Sequence, residues 1–130
     1  MKGAQDIEKI GGKWIQTNEH MSLRSANYQT KVTGKPSNLS YKLNGVKFDG
    51  MKNGVLIDAK AGYKQFIDKK NSVFYKWFEK GKKSLMKQAE RQVAAAQGAP
   101  IEWVCQEKEL VEVLKKLFKN KNNIKLTYIP

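Results

Sequence analysis

The sequence predicts a mixed α/β sandwich, on three observations. Segments with apolar residues at helical spacing alternate with short strand-like runs, in the order helix, three strands, helix, strand, helix, strand. Two of the strand-like runs meet at Asn53-Gly54, the strongest short hairpin signal, because a type I′ turn needs positive φ at both central residues. The 130 residues suit one domain, and 40% apolar composition is enough to build a core.

Residues 1–20 are mixed and weakly periodic and read as an N-terminal extension to a core at 21–130. Asp6 to Ile10 has the pattern of a short helix ended by Gly11-Gly12. A helix is expected from Ser22, a candidate N-cap, to about Thr30. Gly34-Lys35-Pro36-Ser37-Asn38 breaks the chain. Strands are expected at Ser40–Leu43, Val46–Lys52 and Val55–Lys60, with Ala61-Gly62 ending the third. Tyr63 to Asp68 reads as a short helix. A stronger helix runs from Val73, or from after Gly81, to Gln97. Leu85, Ala89, Val93 and Ala96 line its apolar face, and Gly98-Ala99-Pro100 stops it. Ile101–Cys105 reads as a strand. Glu107–Lys119 is the clearest helix, with Leu110, Val113, Leu114, Leu117 and Phe118 in one stripe. Ile124–Ile129 closes the chain as a strand. No internal repeat or low-complexity segment is visible.

Composition excludes several chemistries. One cysteine, Cys105, permits no internal disulfide, and one histidine, His20, permits no Cys/His zinc site. Neither has a sequence partner that would make it reactive. No Gly-x-Ser-x-Gly, Gly-x-x-x-x-Gly-Lys-Ser/Thr or Gly-x-Gly-x-x-Gly motif occurs. The longest apolar runs, such as Val93–Ala96, fall far short of the roughly 20 residues a membrane-spanning helix needs. No apolar stretch of a cleavable signal peptide follows the first residues. The net charge is +13, which favours a polyanionic partner.

The hairpin carries the chemistry. With Asn53-Gly54 at its tip, Lys52 opposes Val55, Met51 opposes Leu56, Gly50 opposes Ile57, and Asp49 opposes Asp58. Alternation puts Lys60 on the face of Asp58 and Asp49. Opposed residues have Cβ atoms roughly 4.5–5.5 Å apart, and like charges there destabilise unless compensated. Either one carboxyl keeps its proton, or a divalent cation lies between the two. Oxygen-only ligation suits Mg²⁺ or Mn²⁺. Lys60 could then neutralise charge developing on a phosphate or orient an attacking water. In the alternative reading Asp49 is a turn residue, and Asp58 and Lys60 form a solvated ion pair.

An Asp followed on the next strand by Asp-x-Lys, behind one helix and before another, resembles the PD-(D/E)xK nuclease superfamily. More narrowly, the chain resembles the restriction-endonuclease-fold toxin domains of bacterial polymorphic toxins. The matching pieces are Tyr28–Gly34, Asn44–Gly50, Leu56–Tyr63, Gln88–Gln92 and Pro100–Trp103, in the expected order. Two departures stand out: Phe48 replaces the proline before Asp49, and Asp58 replaces the commoner Glu. The resemblance implies a restriction-endonuclease-like core, a mixed central sheet of four to five strands flanked by helices. It also implies a metal-dependent phosphodiesterase acting on nucleic acid, DNA in preference to RNA. Asp49, Asp58 and Lys60 take the metal and catalytic positions, and the Ala59 backbone carbonyl joins the metal set. Gln88 and Gln92 match the family's helix glutamines. Glu19 is the nearest candidate for a glutamate that many members supply from the first helix, and Glu102 is expected to be structural.

Basic residues surround the motif, and Lys64, Lys83, Lys87 and Arg91 are candidates to track a phosphate backbone. Tyr75, Trp77 and Phe78 are expected in the core rather than stacked on bases. The resemblance further implies delivery with a parent toxin or secretion-system module, without a cleavable signal peptide in this chain. The toxin would act in the cytoplasm of a competing bacterium and be neutralised at home by an acidic immunity protein. Two other readings stay open: a ribonuclease using the same site, and a non-catalytic nucleic-acid-binding module.

Overall fold

A computed structural model of the chain describes residues 10–130. The short helix expected at Asp6–Ile10 lies outside these residues except for Ile10, which is in a turn. Lys13–Gln16 forms β1, a strand without a clear sequence signal. Helix α1, Leu23–Thr33, begins where Ser22 accepts the Ser25 N–H, and ends at Gly34 with φ 74°.

The hairpin has the expected register. Strands β2 (Leu39–Leu43), β3 (Val46–Phe48), β4 (Gly50–Lys52) and β5 (Val55–Lys60) follow in order. Gly50 pairs with Ile57, Met51 with Leu56 and Lys52 with Val55. Asn53 and Gly54 have φ of 53° and 80°, as the tight turn requires. The single strand expected over Val46–Lys52 is two strands. β3 pairs with β2, and β4 pairs with β5. Between them Asp49 gives its backbone N–H to the Asp58 carboxylate instead of to a strand ladder, so the chain bends there and changes sheets.

The helix expected at Tyr63–Asp68 is replaced by a 3₁₀ turn at Lys64–Phe66 and a small hairpin of β6 (Ile67–Asp68) with β7 (Val73–Phe74). Asp68 Oδ1 accepts the N–H groups of Lys70 and Asn71, which turns the chain back. A second 3₁₀ turn, Lys76–Phe78, leads into α2, Glu79–Ala96. Strand β8 (Ile101–Cys105), helix α3 (Lys108–Phe118) and strand β9 (Ile124–Tyr128) complete the chain.

The central sheet is mixed, in the order β4-β5-β8-β9, with β4 antiparallel and the other neighbours parallel. An antiparallel sheet β1-β2-β3 lies beside it. Alternation divides the two faces of the central sheet. Ile57 and Val104 pack with Tyr28 of α1. Leu56, Trp103 and Cys105 pack with Leu85 and Ala89 of α2 and with Leu110 and Leu114 of α3. Asp58 and Lys60 have the parity of Leu56, so they project into this larger apolar layer, where an unpaired charge would be costly.

Gly50 lets α1 approach the sheet. A Cβ there would lie 2.8 Å from Thr33 Cγ2 and 3.0 Å from Thr33 Cβ. Gly50→Ala is therefore expected to push β4 off α1 and to cost about 1–3 kcal/mol, read as a lowered midpoint in urea.

Candidate active site

Two carboxylates meet at the bend. Asp49 donates its N–H to Asp58 Oδ1 at 3.2 Å, and Asp49 Oδ2 accepts the Ala59 N–H at 2.8 Å. Asp58 Oδ2 accepts from Lys60 Nζ at 2.6 Å and from Gln88 Nε2 at 3.0 Å. Gln88 Oε1 accepts from the same Lys60 Nζ at 2.5 Å. Asp58, Lys60 and Gln88 thus form a closed triangle in which every contact is a charged or amide hydrogen bond. The Lys60 ammonium also lies 4.5 Å from the centre of the Trp103 ring, a cation–π contact.

β5 can hold this cluster because β4 stops short. The Lys60 carbonyl turns toward β8, accepting the Gln106 N–H. Successive carbonyls alternate along a strand, so the Ala59 carbonyl turns the other way, toward Asp49. Asp49, Asp58, Gln88, Arg91 and Glu19 all line one pocket of about 310 Å³. Glu19 reaches this wall with its Oε1 3.0 Å from Lys47 Nζ. Among the described residues no three Asp, Glu, His or Cys side chains gather as a ready metal-ligand set. The oxygen donors at the pocket are the Asp49 and Asp58 carboxylates, with the Ala59 carbonyl on the same edge. That set suits a hard divalent cation, and Asp49 Oδ1 has no protein partner among the described residues.

The electrostatics are those of a crowded, half-dry site. Burial, and then the Asp58 charge, push the Asp49 carboxyl up to about 7, against the opposing pull of Lys60 and the Ala59 N–H. Burial draws Lys60 downward, but Asp58, Tyr63 and Asp49 outweigh it and the net shift is upward. The ammonium form of Lys60 is therefore favoured by its neighbours. The Tyr63 phenol is raised, mainly by burial and with Asp58 and Asp49 adding to it, and Lys60 opposes the shift.

The two glutamines separate. Gln92 is fully buried one turn beyond Gln88, and its Oε1 accepts the Trp103 indole N–H at 2.8 Å. It meets the cluster through Trp103, and its Nε2 has no partner among the described residues. Gln92→Leu removes the unpaired Nε2 but strands the indole N–H, and is expected to cost about 1–3 kcal/mol. Thermal denaturation measures this loss. Lys83, Lys87 and Arg91 recur every four residues on an exposed face of α2, and Arg91 reaches the pocket. Lys64 lies on a separate groove. Glu102 accepts from Thr127 at 2.5 Å across β8–β9, a structural contact. Cys105 is buried, its thiol pushed up to about 12 by burial. His20 is exposed.

Sequence reasoning missed two supporting residues. Trp103 underlies Lys60. Glu107 is buried and accepts the N–H groups of Tyr63 (2.6 Å) and Lys64 (3.0 Å), pinning the turn that follows Lys60. The alternation of Ile101, Trp103 and Cys105 signals which face they share, but nothing local signals that this face lies beside β5.

A mixed sheet with an Asp at a bent edge strand, Asp-x-Lys on its neighbour and a helix glutamine closing the cluster defines a restriction-endonuclease-like α/β protein. The chain belongs to the restriction endonuclease fold toxin 5 family, whose model matches residues 25–108. A search of curated proteins finds no match.

Proposed function

We propose that the chain is a metal-dependent nuclease toxin that hydrolyses phosphodiester bonds, with DNA as its first substrate. The observation that carries the reading is the Asp49, Asp58, Lys60 and Gln88 cluster, of which Asp49, Asp58 and Gln88 line one pocket. Family membership supports a nuclease toxin in general, and the oxygen donor set supports Mg²⁺ or Mn²⁺.

Asp49, Asp58 and the Ala59 carbonyl would hold the cation. When bound it would lower the pKa of a water and hold a phosphate oxygen. Lys60 supplies a fixed positive charge to the phosphate as negative charge develops, in a site where burial strengthens the effect. Gln88 holds Lys60 and Asp58 at once and so sets their separation. Gln92, through Trp103, supports the ring beneath Lys60. Glu19 stands at the rim as a further carboxylate. Lys83, Lys87 and Arg91 lead away from the pocket along α2 and would track a phosphate backbone, giving salt-sensitive, sequence-independent affinity.

A net charge of +13 also suits an acidic immunity protein, since complementary charge speeds association. Delivery with a parent toxin or secretion-system module, and action in the target cell's cytoplasm, complete the reading. No described helix is long and apolar enough to cross a membrane.

The test is plasmid nicking by the purified protein with Mg²⁺ or Mn²⁺, run beside total RNA. Supercoiled plasmid should be lost with metal and persist in EDTA. Attack on RNA alone would transfer the same site to a ribonuclease. Intact plasmid and RNA under every metal would remove the enzymatic reading.

A further inference from the structure

The expectation that Tyr75 and Trp77 lie in the core does not hold. Trp77 is 68% exposed and Tyr75 42% exposed. Their rings stack on each other, with centroids 5.8 Å apart and planes 14° apart. Phe78, by contrast, packs inward, stacked on Phe66 at 4.1 Å. Phe66 also meets the edges of Trp77 and Tyr63, at 5.9 and 6.2 Å. The exposed pair is therefore braced from below by Phe66, which itself touches Tyr63, three residues beyond Lys60. A stacked aromatic pair held out to water is an exposed apolar patch of the kind that marks a contact surface.

Charge around the pair says what covers it. Tyr75 lines an open groove of about 740 Å³ with Arg24, Lys64, Lys69 and Lys70. Lys76 and Lys80, on either side of Trp77, are exposed. The groove's two acids are already engaged. Asp68 accepts from Lys70 and Asn71, and Glu107 accepts from Tyr63, Lys64 and Arg24. Lys69 pairs with Glu109 at 3.9 Å, whereas Lys64 and Lys70 make no ion pair among the described residues. Flat aromatic faces amid unneutralised lysines fit a partner with flat faces and repeating anionic charge. Duplex nucleic acid hides its base faces, but an unpaired strand presents them.

We propose that Tyr75 and Trp77 form a stacking platform for the bases of an unpaired nucleic-acid strand, with Lys64 and Lys70 along its phosphates. The platform deepens the nuclease reading and rests on it. It assigns a preference for single-stranded or locally opened substrate.

Binding is measured in EDTA, so that it is read apart from cleavage. Oligo(dT) should quench the protein's tryptophan fluorescence, because Trp103 is buried and Trp77 is the most exposed of the three indoles. Trp77→Phe should abolish most of that quench. Trp77→Ala and Tyr75→Ala should each weaken oligo(dT) binding roughly tenfold through the loss of a stacked base, with little change in the salt slope. Lys64→Ala with Lys70→Ala should instead flatten the salt slope by about 0.7 per charge removed. Comparing oligo(dT) with oligo(U) tells DNA from RNA as the strand supplied. Unchanged oligonucleotide affinity in both aromatic variants, with circular dichroism showing them folded, overturns the proposal. So does polyglutamate binding that falls with the same variants while oligonucleotide binding does not, which would make the patch a protein-docking surface. Failure of cleavage under every metal, with these binding results intact, would sink the nuclease reading and leave the platform.

Discussion

Asp58→Asn is expected to abolish nicking while leaving the fold in place. The amide is nearly the same size, and its oxygen can still accept from Lys60 and Gln88, so the triangle keeps its shape at the cost of the Asp49 N–H bond and of the charge that balances Lys60. What is lost is one negative charge at the pocket, and with it a cation ligand. Activity should fall on the order of a thousandfold or more, as for removal of a preorganised charge from an active site. Asp58→Ala is a harsher change. It strands a buried Lys60 ammonium that is only 6% exposed, and breaking such a buried pair costs about 3–5 kcal/mol. Inactivity of the alanine protein alone would therefore mix two effects. Circular dichroism beside the nicking assay separates them. Full activity in Asp58→Asn would refute the assigned site.

The second large effect is on pH. The Asp49 carboxyl titrates near 7, against 3.8 unperturbed, because burial and Asp58 disfavour its charge. Protons and a divalent cation then compete for the same oxygens. At fixed, subsaturating Mg²⁺ the rate should fall toward tenfold per pH unit below 7, so roughly fiftyfold between pH 7 and pH 5. Stability in EDTA should run the opposite way. A carboxyl whose folded pKa is raised contributes stability that is fully present below the unfolded value and is lost as pH rises through the folded value. The metal-free protein should thus lose stability between about pH 4 and pH 7 from this group. Asp49→Asn should remove that part of the slope, and Mg²⁺ or Mn²⁺ should restore stability to the wild type at high pH by binding the folded state. Parallel melting-temperature profiles for wild type and Asp49→Asn would contradict the assignment.

Much of this was legible because it is local. Asn53-Gly54 dictates the turn and the turn dictates the register, which ends at Gly50 and Ile57 and so leaves Asp49 beside Asp58, with Lys60 on the face of Asp58. Helix ends at Ser22 and Gly34 follow from capping chemistry, and the stripe of α3 follows from its period. The misreadings have a shared cause. Tyr63–Asp68 has helical composition, yet Asp68 binds the backbone of Lys70 and Asn71 and makes a turn. Val46–Lys52 alternates like one strand, yet Asp49 gives its N–H to a side chain from the neighbouring strand and bends. In both places a side chain competed with the regular backbone pattern and won.

Sequence order alone determined the hairpin, its facing carboxylates and the surplus of positive charge, since each depends on residues close together in the chain or on a simple sum. Tertiary structure alone decided which groups complete the cluster. Gln88 reaches Lys60 across 28 positions and Asp58 across 30, whereas Gln92, on the same helical face, is taken up by Trp103. Exposure of Tyr75 and Trp77 was likewise decided only when Phe66 and Phe78 filled the space beneath them. Periodicity tells which way a side chain points from its own element, but what stands opposite is set by packing between elements far apart in the chain.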